Sequence, residues 1–305
     1  MVDSTSIWEL LLVRRAVETL LSELSSKFSI LWDITASFVD DIVVHSNEFD
    51  RHLMDLEKFQ QVIKHSGFTL NINKCHFAQS KVKFVGHIIG SRERSPDPDK
   101  VSTVKDMKIR ETKKEVRRMI ELFSYFRDYI PNFAKIAKPL TDLRGKRVSN
   151  KIPWGTNENQ AFQTLKDKLC EATTQPMSIA DFGKSWIIQV DTSSETLLQD
   201  DGGQGHRAIA FASQKLTPAQ RAWSTIEKEA FAAIWALDKF RNWIFGQHIT
   251  LYSDHNPDLS HKATSKSPKL MRWALALQQY DVTFRYKEGR KNIVADCLSR
   301  LDLEN

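Results

Sequence analysis

Two aspartates, Asp40 and Asp41, sit side by side in S-F-V-D-D-I-V-V-H-S (37–46), between apolar and β-branched residues. Asp is depleted in strands and an unpaired buried carboxylate is costly, so the pair demands a reason. Further along, Asp191 ends the run W-I-I-Q-V-D and Glu229 falls in the first turns of a helical stretch. Asp254 ends I-T-L-Y-S-D, and Asp296 lies within N-I-V-A-D-C-L-S-R. Four carboxylates on four separate elements, two of them at strand ends, are what a magnesium site needs, because the ion is hard and prefers oxygen ligands. Two such ions about 4 Å apart can activate a water and stabilise the leaving oxygen of a phosphodiester. Each residue taken singly has a plainer reading, as a turn aspartate or a solvated helix glutamate.

The elements that must hold these residues follow from hydrophobic periodicity. Residues 7–24 repeat apolar positions at helical spacing, and 28–44 read as a β-hairpin turning near the aspartate pair. A helix over 48–66 is stopped by Gly67, and strands are expected at 68–72 and 82–89. The stretch S-P-D-P-D-K (95–100) reads as a turn and helix start, with prolines that fit inside neither element, and marks a first domain boundary. Residues 112–129 form an amphipathic helix opened by a Thr112–Glu115 capping box. A helix over 132–143 follows Pro131, then a basic linker over 144–155 and a helix over 156–171. S-I-A-D-F-G-K (178–184) marks a second boundary. Beyond it, strands are expected at 186–190, 207–213, 248–253 and 281–287. Helices are expected within 217–245, started at Pro218, and over 267–279 and 291–300.

A chain of 305 residues is long for one core, so two or three domains are expected. With 27% charged and 41% hydrophobic residues the composition is that of a globular protein. The net charge of +6 points to an acidic partner, nucleic acid first. Residues 92–151 hold 17 Lys/Arg against 9 Asp/Glu, a local excess of +8, so the rest of the chain is slightly acidic. A solvated basic face is the plainer alternative. Cys75, Cys170 and Cys297 are odd in number and far apart, which argues for a reducing, intracellular setting and no disulfide framework. Lys74-Cys75-His76 lacks a second ligand pair at zinc spacing. The N-terminal apolar run is short and broken by Glu9, unlike a signal peptide, and no apolar run is long enough to span a membrane.

From about residue 14 to 301 the chain resembles the Pol polyprotein of gypsy-type LTR retrotransposons, which carries reverse transcriptase followed by ribonuclease H. F-V-D-D (38–41) is similar to the polymerase motif, L-N-I-N-K-C-H-F (70–77) to the segment after it, and K-F-V-G-H-I-I (83–89) to the primer grip. S-Y-F-R-D-Y-I-P-N-F-A-K-I-A-K-P-L-T (124–141) resembles a thumb block. F-A-S-Q-K-L-T-P (211–218), S-T-I-E-K-E-A (224–230), Y-S-D-H-N-P (252–257) and N-I-V-A-D-C-L-S-R (292–300) resemble ribonuclease H blocks.

The resemblance implies an α+β multidomain protein. It has a partial palm (1–91), a basic helical thumb (92–151), a connection (152–180) and an RNase H-like domain (181–305) whose mixed five-stranded sheet is flanked by helices. It implies Mg²⁺, with Mn²⁺ as a substitute, held by Asp191, Glu229, Asp254 and Asp296, and at an incomplete polymerase site by Asp40 and Asp41. Glu229 is preferred over its neighbour Glu227 by the family pattern alone, and His255 reads as packed beside the strand end. The implied partners are an RNA–DNA hybrid and a primer–template duplex, gripped by Lys113, Lys114, Arg117, Arg118 and Arg127 and by the primer grip at Gly86 and His87. The aromatic residues interleaved with the thumb cations, Phe123, Tyr125, Phe126, Tyr129 and Phe133, read mostly as core, as do Trp235, Trp243 and Trp273.

Two departures from the family pattern set further expectations. A polymerase of this kind needs a third aspartate on another strand, with the fingers; the 37 residues before Phe38 hold neither, which reads as an N-terminal truncation without autonomous polymerase activity. Between Asp191 and Phe211, D-T-S-S-E-T-L-L-Q-D-D-G-G-Q-G-H is shorter than the family hairpin and lacks its turn glycines. A strand slip there would turn Asp191 to the wrong face and impair hydrolysis. A second short deletion is read after Pro257. The alternatives are therefore a working RNase H, a catalytically impaired remnant that binds duplex, and a structural partner of a complete reverse transcriptase.

Overall fold

The computed structural model describes residues 9–14, 31, 33–38, 41–46, 48–66, 70–90, 92–109, 112–145, 151–152, 154–191, 194–200, 205–253 and 268–286. The chain divides into two compact units, 1–100 and 101–305. No helix among the described residues is long and apolar enough to cross a membrane.

The first unit is built on a four-stranded antiparallel sheet. Its strands are β1 (Glu9–Arg14), β2 (Thr35–Phe38), β3 (Asp41–Ser46) and, after helix α1 (Phe49–His65), β4 (His76–Gln79), in the order β2-β3-β1-β4. The expected hairpin at the aspartates is present: β2 and β3 pair with Phe38 opposite Asp41, leaving a two-residue connection. The helix expected at 7–24 is corrected at its start, where residues 9–14 form the strand β1. Four consecutive apolar residues, Leu10–Val13, suit a buried strand as well as a helix, and pairing with β3 decides it. The rest of that expectation lies outside the described residues.

Helix α1 packs Phe59 and Ile63 against Leu31 and Val44. It is also fixed to the end of β3 by a buried polar group. Asp55 accepts a hydrogen bond from Ser46 Oγ at 3.0 Å, and Arg51 Nε lies 3.1 Å from the same carboxylate. His52 Nδ1 lies 3.3 Å from Ser46 Oγ. Burial holds the neighbouring His45 below the usual histidine range, with Asp55 opposing the shift. Asp55 is 1% exposed, so truncating it strands the polar groups gathered around it. Asp55→Ala is expected to destabilise the first unit by about 2–3 kcal/mol, read as a lower urea midpoint; an unchanged midpoint would mean the network adds nothing.

A second correction concerns 82–89. It is not one strand but a hairpin of β5 (Lys81–Phe84) and β6 (His87–Gly90), extended by β7 (Glu93–Pro96). Val85 and Gly86 form its turn, both left-handed at φ 48° and 73°. Two positive φ values match the twist of a two-residue hairpin, a geometry free for glycine and costly for valine. Residues 72–74, at the end of the other expected strand, form a 3₁₀ turn. Pro96 closes β7, and Pro98 begins α2 (Pro98–Lys105), where its missing N–H is not needed.

The second unit has two cores. One gathers Val101 and Val104 with helix α3 (Lys113–Tyr125), the short helices α4 (Phe133–Ile136) and α5 (Lys138–Asp142), and the long helix α6 (Thr156–Thr174), ending at Met177 in β8 (Met177–Ser178). The Thr112–Glu115 capping box is present. Phe123, Phe126, Tyr129 and Phe133 are buried there, whereas Tyr125 is exposed.

The other core lies under a mixed five-stranded sheet. It comprises β9 (Trp186–Asp191), β10 (Ser194–Asp200), β11 (His206–Ala212), β12 (His248–Ser253) and β13 (Asp281–Tyr286), in the order β11-β10-β9-β12-β13. The long helix expected within 217–245 is α8 (Thr225–Lys239), but Pro218 starts a separate short helix, α7 (Pro218–Arg221), and α9 (Arg241–Ile244) follows. Ser224 breaks the run by capping α8. Helix α10 (Pro268–Leu277) follows β12. The small buried face of α8, Ala232, Ala233 and Ala236, shares a core with Trp186, Ile188 and Leu251 of the central strands.

The hairpin after Asp191, read as shortened, pairs without a register shift between its own two strands. β9 and β10 pair from Ser194 opposite Asp191 to Gln199 opposite Trp186 without a shift. On its other edge β9 runs parallel to β12, with Val190 opposite Ser253. An irregularity falls between Leu197 and Leu198, where β10 meets β11. Every residue from Trp186 to Val190 is buried, and a one-residue slip would misplace all of them.

Candidate functional site

The edge of the sheet where β9 and β12 end is built by register. Val190 lies opposite Ser253, the last residue of β12, in a parallel pair, so β9 ends one residue further on at Asp191, and Asp254 follows Ser253 in sequence. Helix α8 brings Glu229 to this edge. Glu229 is 4% exposed, and Ser253 Oγ donates to its Oε2 at 3.4 Å.

Glu227 and Glu229, which helical phase does not tell apart, have different partners. Glu227 completes the α8 capping box: Ser224 N–H donates to its Oε2 at 3.0 Å and Lys269 Nζ lies 3.2 Å from its Oε1. The Ser224 amide, and then Lys269, hold its carboxyl below the usual range. Glu227 thus fixes the helix end, and Glu229 faces the strand ends.

Asp40, Asp254, His255 and Asp296 lie outside the described residues, as does the side chain of Asp191. Among the described residues no group of three His, Cys, Asp or Glu is gathered to hold a metal. The donor set that the described part contributes, a buried glutamate beside a serine hydroxyl, is nevertheless all oxygen and suits a hard divalent cation.

A buried carboxylate that sequence reading passed over is Glu195, 4% exposed and cross-strand from Val190. Its signal was an acidic residue two positions before the paired leucines of the strand, S-E-T-L-L-Q. Also unforeseen is an aromatic cluster at the start of α8. Trp223, Phe231 and Trp273 contact one another at 5.5–6.2 Å, and Lys269 Nζ sits 3.1 Å from the Trp223 ring centroid. Trp235 and Trp243 pack against the sheet core, as expected.

At the other end of the chain, Asp41 opens β3. Its register partner on β1 is Arg14, while the only carboxylate of that strand, Glu9, lies opposite Ser46 at the far end. Gly86 and His87 lie at the turn of the β5–β6 hairpin.

Of the five thumb cations, Lys114, Arg117 and Arg118 are exposed on α3. Lys113 Nζ donates to Gly145 O at 3.0 Å. Arg127 is engaged differently from the phosphate contact expected of it: its Nη2 donates to Ser213 O at 2.7 Å and its guanidinium lies over the Phe133 ring.

Comparison with known proteins agrees with both halves of this description. Residues 10–89 match the family described as reverse transcriptase (RNA-dependent DNA polymerase), and 181–280 the RNase H-like domain found in reverse transcriptase. The chain is 34% identical over 87% of its length to the retrovirus-related Pol polyprotein from transposon opus of Drosophila melanogaster, covering 28% of that protein. It is 29% identical to the corresponding polyprotein from transposon gypsy of the same organism over 95% of its length, again covering 28% of it. It therefore spans about a quarter of the relatives it matches. A foamy viral protease-reverse transcriptase solved in complex with RNA/DNA hybrid shares the fold at TM-score 0.78 and 19% identity, over 92% of this chain and 44% of that one. The same protein in complex with double-stranded DNA aligns at TM-score 0.74 over 68% of its length. Reverse transcriptase and RNase H-like domains generally use divalent metals. A reverse-transcriptase segment followed by an RNase H-like segment, in the order and with the fold of these relatives, makes this chain a member of the gypsy-type retrotransposon Pol family.

Proposed function

We propose that the chain binds an RNA–DNA hybrid through α3 and hydrolyses the RNA strand at the edge where β9 and β12 end. The observation that carries this reading is the in-register parallel pair of β9 and β12 with Glu229 buried against Ser253. Asp191, Glu229, Asp254 and Asp296 would hold the divalent cations, Mg²⁺ with Mn²⁺ as a substitute. Such cations, when bound, lower the pKa of water and stabilise a leaving oxygen. The chain itself supplies orientation: the Ser253 hydroxyl fixes one oxygen of Glu229, and the α8 cap fixes the helix that carries it. The exposed cations of α3 hold phosphates of the duplex. The free cysteines Cys75 and Cys170 fit a reducing, intracellular setting. The test is hydrolysis of a hybrid labelled in its RNA strand, with and without Mg²⁺. Binding without metal-dependent cutting would leave a duplex-binding remnant instead.

DNA synthesis is not expected from this chain. At the register position of Asp41, β1 carries Arg14 and not a carboxylate, whereas holding two metal ions there calls for a further carboxylate on a neighbouring strand. Primer extension by the purified chain on a homopolymer template should be undetectable. Extension that is lost on Asp41→Asn would sink this reading.

A further inference from the structure

The helical core and the sheet of the second unit meet at β11, the edge strand of the sheet farthest from β13. Ala208 and Phe211 of β11 pack against the helical core. Just beyond the strand, Ser213 is held twice. Its carbonyl accepts from Arg127 Nη2 at 2.7 Å, and its Oγ accepts from the Ala134 backbone N–H at 2.8 Å. Lys215 makes an ion pair with Asp142 of α5. The Arg127 guanidinium carbon also lies 5.5 Å above the Phe133 ring centroid, so one side chain closes both a hydrogen bond and an aromatic contact.

This joint is only partly satisfied. Arg127 Nε, Asn132 Oδ1 and Gln214 Oε1 are buried at its residues without hydrogen-bond partners. Asn132 itself is held in the left-handed region at φ 55°. Buried polar atoms without partners favour states in which water reaches them, so separation of the two cores would be rewarded at these atoms. Contacts between cores within one chain are commonly marginal enough to allow relative motion. The contacts of Arg127 and β11 oppose that separation.

We infer that Arg127 is a positioning residue: by locking the 127–134 turn to Ser213 it fixes the spacing between the basic face of α3 and the edge carrying Glu229, and so fixes where on a bound duplex the RNA strand is cut. The part concerning the cut rests on the hybrid-nuclease reading above; the part concerning spacing does not. Lys114, Arg117 and Arg118 on α3 bind a repeating backbone and cannot by themselves select a position along it. A rigid distance from that grip to Glu229 can.

The spacing is measured in the full chain with Cys75, Cys170 and Cys297 changed to Ser and spin labels at Glu121→Cys on α3 and Ile226→Cys on α8. One narrow distance distribution is expected. Arg127→Met should broaden it at least roughly twofold. Arg127→Lys, which keeps one donor, should fall between, and Ser213→Ala, which removes only the Ala134 contact, should broaden it less. A distribution as narrow in Arg127→Met as in the parent overturns the proposal. Should Arg127→Met fail to fold, unchanged widths in both Arg127→Lys and Ser213→Ala overturn it equally. The same proteins are then given an end-labelled hybrid. Cuts clustered at one distance from the duplex end in the parent, and dispersed in Arg127→Met, support the link from spacing to cut. Unmoved cuts despite a broadened distribution overturn that link. No cutting by the parent refutes the nuclease reading and with it the link to the cut, while the distance widths still decide the joint.

Discussion

Glu229→Gln should reduce Mg²⁺-dependent hydrolysis of the RNA strand of a hybrid by at least roughly a hundredfold, while leaving the fold and hybrid binding in place. The substitution keeps the size of the side chain, and its amide oxygen can still accept from Ser253 Oγ, which now reaches Glu229 Oε2 at 3.4 Å. What it removes is the negative charge that a divalent cation would need. Glu227→Gln, two residues earlier, is the informative partner. Glu227 caps α8 and binds Lys269, so its loss should cost about 1 kcal/mol of stability and leave most of the hydrolysis. The assay follows product from an RNA strand labelled at its 5′ end, with Asp254→Asn as a second charge-removing variant. Undiminished cutting in Glu229→Gln, or equal losses in the two glutamate variants, would show that Glu229 is not a ligand and that α8 matters only as packing.

Replacing Lys114, Arg117 and Arg118 together by Ala should weaken hybrid binding on the order of a hundredfold or more at low salt and flatten its salt dependence. Each phosphate contact contributes close to one unit to the slope of log affinity against log salt, so three lost contacts should reduce that slope by about 2–3. These residues lie exposed on α3, whose opposite face, Val116, Met119, Ile120 and Phe123, is buried, so the substitutions leave the core untouched. Lys113→Ala alone should shift the slope less than a full contact, because its ammonium is spent on Gly145 O. The exposed Tyr125 is the last residue of the same helix, its ring edge-on to that of Phe126. Binding measured by fluorescence anisotropy across a salt series decides the matter. An unchanged slope in the triple variant would place the grip elsewhere.

Much of this protein was legible in its sequence because many of its signals are local. The capping box at Thr112 and Glu115, the apolar stripe of α3 and the turn between Phe38 and Asp41 depend on neighbours a few residues away, and each stands where the residues imply. Motif order carried the family: a reverse-transcriptase segment at 10–89 is followed by an RNase H-like segment at 181–280. What the sequence could not settle were matters of long-range pairing. Leu10–Val13 suits a helix or a strand on periodicity, and only pairing with β3 makes it a strand and brings Arg14 opposite Asp41. The stretch after Asp191 did not show its pairing, which runs without a shift between β9 and β10 and sets β9 parallel to β12. Helical phase did not tell Glu229 from Glu227, yet Glu229 meets Ser253, 24 residues away, and Glu227 turns back to its own helix cap. Arg127 looked like one more cation of a basic segment until the chain folded back to bring Ser213 to it across 86 residues. Residue types and spacing state which chemistry is available; which group is free to perform it is decided by the partners that distant parts of the chain bring, because a charge already hydrogen-bonded and buried has little left to offer a ligand.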